Sequence, residues 1–215
     1  MDELTLVDYG MGNLLSVQRA FEFSFGRVVV TDSPKRIEEA SKLILPGVGA
    51  FKDGMAELEK RGLVEPIRRY CKENRPFLGI CLGMQMMLDM SHEFGLTSGL
   101  GVIPGTVLPL PDRSPEGVPN KIPHIGWSEV QKRAGGDSWS GTILESIPAD
   151  SSFYFVHSFH AVPEDTSHIL SECDYNGSRF AAVIRSGNLY GCQFHPEKSG
   201  PDGLTLLKNF MALSH

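Results

Sequence analysis

The chain has 215 residues, with 20 Lys+Arg against 26 Asp+Glu and a formal charge of −6. Hydrophobic residues at 41% and charged residues at 21% exclude a disordered chain, and the length predicts a single domain over 1–215 with one sizeable core. The acidic balance excludes nucleic-acid binding as the main task, because phosphate contacts need a basic face. Met1-Asp2-Glu3-Leu4 lacks the basic opening of a secretory leader, and no apolar run approaches the roughly 20 residues that span a bilayer. The expectation is a cytoplasmic protein with neither a nucleic-acid nor a membrane partner. Cys71, Cys81, Cys173 and Cys192 show no C-x-x-C pairing and read as reduced thiols.

The first half alternates β-rich runs with amphipathic ones, the pattern of βα units around a parallel sheet. Leu4 to Val7 is a strand, and Asn13 caps a helix with Leu14, Val17 and Phe21 on one stripe. Arg27 to Thr31 is a second strand, followed by a short helix from Pro34 to Ala40 with Ser33 as cap. Lys42 to Leu45 is a third, halted by Pro46-Gly47, and two helical segments break near Gly62. Pro76 to Ile80 is a fourth strand, and the stretch from Leu82 to Met90 is a helix apolar on nearly every side. From Gly95 to Pro123 glycine and proline bring loops and short strands. Phe153 to Val156 is a strand, and Asn176-Gly177 joins Ile169–Tyr175 to Ser178–Ile184 as a hairpin. A strand from Leu189 to Phe194 precedes a last helix with Leu204, Leu207 and Met211 on one face. The class is α/β: a mostly parallel central sheet flanked by helices, with an antiparallel β extension.

Gly79-Ile80-Cys81-Leu82-Gly83 lies between an apolar strand and an apolar helix. Its G-x-C-x-G spacing is the cysteine form of a nucleophile elbow, in which flanking glycines permit a sharp strand-to-helix turn. The helix start beneath Cys81 favours thiolate over thiol, and the Leu82 amide points toward a developing oxyanion. A strand end with a buried cysteine and two turn glycines is the plainer account. A thiolate nucleophile also needs an oriented proton carrier. In Gln193-Phe194-His195-Pro196-Glu197, an extended backbone puts residues 195 and 197 on one side, so Glu197 can hold one nitrogen of His195. Read alone, this is a surface His-Pro-Glu turn. Pro46-Gly47-Val48-Gly49 ends the third strand where ligands meet backbone amides, and Val48 or Gly49 can donate the second oxyanion bond; a βα turn explains the same residues. Asp8-Tyr9-Gly10-Met11-Gly12-Asn13 imitates a dinucleotide fingerprint, but its third glycine falls at Leu15. His157 and His160 have no companion ligands at metal spacing, so neither a metal nor a cofactor is expected.

Together with Ile122-Pro123-His124-Ile125-Gly126-Trp127, Tyr154-Phe155-Val156-His157-Ser158 and Lys198-Ser199, these stretches resemble the triad (class I) glutamine amidotransferases over essentially the whole chain. The resemblance implies a Cys81-His195-Glu197 triad that hydrolyses L-glutamine through a thioester, with the oxyanion near Val48, Gly49 and Leu82. It implies substrate contacts from Gly47, Gln85 and the backbone of Ser158 and Phe159. The opening motif and His-Ile-Gly-Trp resemble the branch whose ammonia passes to a separate (β/α)8-barrel synthase subunit. That partner, bound as a heterodimer, makes imidazole glycerol phosphate and aminoimidazole carboxamide ribonucleotide in histidine biosynthesis. Asn13, Trp127 and Lys198 match positions at or near that interface. Phe159 departs from the pattern, where Tyr commonly follows His-Ser. A glutaminase serving a different acceptor and a non-catalytic ligand-binding subunit stay as alternatives.

Overall fold

The computed structural model describes residues 3–25 and 27–214, and of 23–25 the backbone alone. Met1 and Asp2, which open the segment read above as lacking a leader, lie outside the described residues. Nine elements alternate in the first half: β1 (Leu4–Val7), α1 (Leu14–Phe25), β2 (Val28–Thr31), α2 (Pro34–Glu39), β3 (Lys42–Gly47), α3 (Phe51–Lys60), α4 (Val64–Lys72), β4 (Phe77–Cys81) and α5 (Leu82–Met86). Short strands follow: β5 (Met90–Ser91), β6 (Thr97–Ser98), β7 (Gly105–Pro109), β8 (His124–Glu129) and β9 (Gln131–Lys132). The chain ends with β10 (Ser152–His157), β11 (Phe159–Pro163), β12 (Ile169–Tyr175), β13 (Ser178–Ser186), β14 (Leu189–Cys192) and α6 (Gly200–Ala212).

The main sheet has the order β2-β1-β3-β4-β14-β13-β12-β9. Its strands from β2 to β14 are parallel, and β13, β12 and β9 add the antiparallel extension. Period-two alternation sends Leu4, Leu6, Ile44, Leu78 and Ile80 into a core shared with α1 and α6. Leu43, Leu45 and Phe77 point the other way, into a core with α2, α3, α4 and α5. Burial on both faces explains why these strands read as unbroken apolar runs. Two smaller sheets, β10-β8 and β11-β7-β5-β6, lie beyond the main one. No described helix is long and apolar enough to cross a membrane.

Four elements differ from expectation. The helix expected from Leu82 to Met90 stops at Met86, because the loop after β6 takes its carbonyls. Leu100 N donates to Met86 O at 2.8 Å, Val102 N to Met87 O at 2.9 Å and Gly101 N to Leu88 O at 3.1 Å. Ser33 stands before α2 as expected, yet its side chain makes no capping bond; Pro34 carries that helix start. The hydrophobic pattern gave no strand over 124–129 or 159–163, because β8 and β11 are held by pairing with β10 and β7 in small, half-exposed sheets.

The parallel register aligns Gly47 with Cys81 and Ile80 with Cys192, so β3, β4 and β14 end at one edge. There α5 packs directly on β3 and β4. A side chain on Gly83 would strike the Leu45 carbonyl, and one on Gly79 would stand 2.7 Å from Gly83 O. Because the obstruction at Gly83 is backbone, Gly83→Ala is expected to cost about 3 kcal/mol or more. The urea midpoint should fall accordingly, while Gly95→Ala, whose new Cβ meets nothing within 4 Å, should fall far less, through its positive φ alone.

Candidate active site

Cys81 ends β4 and begins the turn into α5 with φ 54° and ψ −108°. A non-glycine residue is rarely found there, and such strain persists only where the surroundings enforce it. The glycine contacts just described do so: α5 lies too close for any other exit from β4. The side chain is buried, and its sulfur lies 3.9 Å from the Val156 carbonyl and 3.7 Å from Gln193 Nε2, with the His195 ring also close enough to interact with it.

Beyond β14 the backbone is clamped to β10. His195 N donates to Tyr154 O at 2.9 Å; Tyr154 N donates to Ser199 Oγ at 3.0 Å, and that hydroxyl donates to His195 O at 2.7 Å. His195 Nδ1 meets Glu197 Oε1 at 2.9 Å, with both side chains at most 2% exposed. The extended geometry expected for residues 195–197 is replaced by a 3-10 turn over Pro196–Lys198, opened by Pro196 and closed by Lys198 N on His195 O. Glu197 therefore reaches back across the turn rather than lying beside the ring along a strand.

His195 Nε2 has no hydrogen-bond partner among the described residues, which leaves it free for a reacting group. Burial acts to lower the ring's pKa, but interactions with the Cys81 sulfur and the Glu197 carboxylate outweigh it and raise the imidazole to about 9. The other histidines nearby go the opposite way. Burial lowers His124 to about 4; burial first, offset in part by its bond to Phe159 O and reinforced by the neighbouring histidines, lowers His157 to about 3.

A cavity of about 360 Å³ opens over Cys81. It is lined by Val48, Gly49, Leu82, Gln85, Ser158 and Phe159 from the expected set. Gly47 is absent from the lining: it pairs with Cys81 in the sheet and is covered by the Tyr9 hydroxyl and Leu82 Cβ. Glu93, unnoticed in the sequence, also lines the cavity; it is buried and accepts from Phe51 N at 2.7 Å. Among the described residues no cluster of three or more His, Cys, Asp or Glu is placed to hold a metal ion.

The family glutamine amidotransferase class-I matches residues 5–213. The chain is 48% identical over 213 residues to "Imidazole glycerol phosphate synthase subunit HisH 1" of Legionella pneumophila (strain Lens), covering 99% of this chain and 100% of that one. It is 47% identical over 211 residues to "Imidazole glycerol phosphate synthase subunit HisH" of Geobacter sulfurreducens, covering 98% of each. The chain belongs to the class-I glutamine amidotransferase family. Among solved structures, a chain of PurLQS from Thermotoga maritima shares the fold with a TM-score of 0.69 at 20% identity, over 98% of each chain.

In this amidotransferase Trp127 and Lys198 come together through Tyr154. Trp127 stands edge-on to the Tyr154 ring at 6.1 Å, and Lys198 Nζ lies 5.8 Å from the same ring. Trp127 is 57% and Ile125 56% exposed, so one face of the β8–β10 pair is apolar and open. Asn13 is exposed ahead of α1, and its carbonyl accepts the first helical bond from Val17 N. No contact joins Asn13 to the Trp127–Tyr154–Lys198 group among the described hydrogen bonds and ring contacts.

The opposed histidine shifts fix how stability follows pH. His195 is raised from 6.5 to about 9, so its contribution is complete below pH 6.5 and is lost as pH rises toward 9. His124 and His157 are depressed, so theirs is complete above 6.5 and is lost as pH falls toward 4 and 3. These groups therefore place a stability maximum near pH 6.5. Urea midpoints from pH 4 to 9 check it, and Glu197→Gln should flatten the alkaline limb while leaving the acid limb in place.

Proposed function

We propose that the chain hydrolyses L-glutamine to L-glutamate and ammonia by a Cys81-His195-Glu197 triad. On this reading it hands the ammonia to a (β/α)8-barrel synthase subunit that makes imidazole glycerol phosphate and aminoimidazole carboxamide ribonucleotide in histidine biosynthesis. The observation that carries the chemistry is a strained, buried cysteine beside an imidazole whose far nitrogen is held by a carboxylate at 2.9 Å and whose near nitrogen is unpaired. Near-full-length identity to subunits named for imidazole glycerol phosphate synthase supports the acceptor.

The steps follow from these atoms. Cys81 Sγ gives its proton to His195 Nε2 and attacks the side-chain amide carbon of glutamine. Glu197 steadies the imidazolium that forms. The oxyanion is met by the Leu82 amide, one of the first-turn N–H groups of α5 without an intrahelical acceptor, and by an amide of the Val48–Gly49 segment. His195 protonates the departing nitrogen, ammonia leaves, and the γ-glutamyl thioester remains on sulfur. His195 then takes a proton from water, whose oxygen attacks the thioester and releases glutamate.

The cavity also suits the rest of the substrate. Glu93 gives the α-ammonium a buried carboxylate. Gln85 Nε2 donates to Phe159 O at 2.9 Å and to Gln193 Oε1 at 3.1 Å, so both amide hydrogens are engaged and its carbonyl oxygen is what it offers a ligand. The α-carboxylate needs donors, which the backbone amides of Ser158 and Phe159 supply. Replacement of the expected tyrosine by Phe159 leaves a backbone contact intact. The exposed Trp127–Tyr154–Lys198 face, with Asn13, is assigned to the barrel subunit.

The decisive experiment measures glutamate and ammonia when the chain is mixed with the barrel subunit of a histidine-synthesising cell. Both should appear, with much less from the chain alone. Cys81→Ser should abolish them while pairing persists, and release from Cys81→Ser at the natural rate would sink the triad. Glu93→Gln should lower kcat/KM for glutamine by about tenfold or more, chiefly through KM, since a bond to a charged group is lost.

A further inference from the structure

The polarity of the hydrogen bonds behind Cys81 follows from one atom. The Phe159 carbonyl can only accept, and it faces His157 Nδ1 at 2.9 Å and Gln85 Nε2 at 2.9 Å. His157 Nδ1 therefore carries a hydrogen, and the neutral ring has a bare Nε2. That nitrogen lies 3.1 Å from His124 Nδ1, which must donate to it; His124 Nε2 in turn accepts from the Ser128 hydroxyl at 2.9 Å. On the other branch, the second hydrogen of Gln85 Nε2 reaches Gln193 Oε1 at 3.1 Å. With its oxygen so taken, Gln193 turns its NH2 group to Cys81 Sγ at 3.7 Å. Gln193 is fully buried and its backbone N donates to Ala182 O at 2.9 Å, so neither water nor main-chain motion disturbs the arrangement.

The Val156 carbonyl and the Gln193 amide make opposite demands on the sulfur. Val156 O accepts from the thiol and repels a thiolate; the Gln193 amide gains strength once sulfur is negative. We propose that Gln193 is a catalytic residue of this site, donating an N–H to the Cys81 sulfur so that the thiolate forms and stays aimed at the substrate. Gln85, His157 and His124 are positioning residues that keep that amide turned to sulfur. The step balances without a co-reactant: the S–H bond breaks, its electron pair stays on sulfur, and the proton forms the N–H bond at His195 Nε2. The inference rests on Cys81 being the nucleophile of the proposed reaction.

The test is alkylation of Cys81 by iodoacetamide at pH 7, followed on the Cys81 peptide by mass spectrometry, in the full chain paired with its barrel subunit. Gln193→Met keeps the bulk and removes the donor, and alkylation should slow about tenfold. Glutamine hydrolysis should then fall in kcat with little change in KM. Gln193→Glu should alkylate more slowly still. Unchanged alkylation in a folded Gln193→Met overturns the inference and leaves the triad standing. If Gln193→Met does not fold, Gln85→Met releases the Gln193 carboxamide without touching sulfur and should slow alkylation to a lesser degree; no change there overturns the inference equally. If Cys81 in the natural complex reacts no faster than in the urea-unfolded chain, the nucleophile assignment fails and takes this inference with it.

Discussion

Everything at the site depends on how closely α5 is pressed against the ends of β3 and β4. Gly83 touches the Leu45 carbonyl and Gly79 touches the backbone of Gly83, so the chain leaving β4 has one way to turn. That turn puts Cys81 at φ 54°, a conformation the residue would not adopt unaided. The strain is offset by two apolar layers packed on either face of the sheet. Because α5 is only five residues long, its dipole is small, and the proposed chemistry leans instead on local groups such as the buried amide of Gln193, 3.7 Å from the sulfur.

The second constraint is topological. Strands β3, β4 and β14 are parallel neighbours with matched register, so three segments far apart in sequence deliver their following loops to one edge. The loop after β3 brings Val48 and Gly49, the turn after β4 brings Cys81 and Leu82, and the chain after β14 brings Gln193 and His195. The β8–β10 pair then closes the site from outside, clamping His195 through Tyr154 and Ser199. The same β10 strand carries Val156 and His157 into the cavity wall and Tyr154 to the exposed face. A partner resting on Trp127 would therefore press on a strand that also lines the cavity over Cys81.

How legible this was in the sequence depended on whether a feature is made locally. The parallel half of the sheet could be read because its strands are short apolar runs, and the Asn176-Gly177 hairpin because two positive φ angles demand those residues. The elbow was legible for the same reason. The early end of α5 was not, since loop 99–103 supplies the hydrogen bonds that stop it and nothing near Met86 announces them. Strand β8 was hidden because its alternation is weak and its partner lies beyond a long loop. Glu93 and Gln193 stood in plain view as residues but without a role, because a buried carboxylate or amide acquires one only when distant segments fold around it. The pairing of His195 with Glu197 could be anticipated, though its geometry is a turn rather than a strand.

Three buried histidines near Cys81, of which His157 lines the cavity, show how neighbours decide what an identical ring can do. His195 faces a carboxylate and a sulfur, and its imidazolium is favoured. His157 faces a carbonyl and another imidazole, and His124 a hydroxyl and the rings of Phe155 and Tyr175; a proton on either would be buried without a counter-charge. In the proposed reaction, proton traffic beside Cys81 is thus confined to one ring. The neutral pair cannot compete for the thiol proton, and its fixed tautomers hold the carbonyl of Phe159 and, through Gln85, the amide of Gln193. Separation of this kind, one ring charged by a carboxylate and its neighbours kept neutral by burial, lets a single site carry a proton in one direction without losing it to the wall.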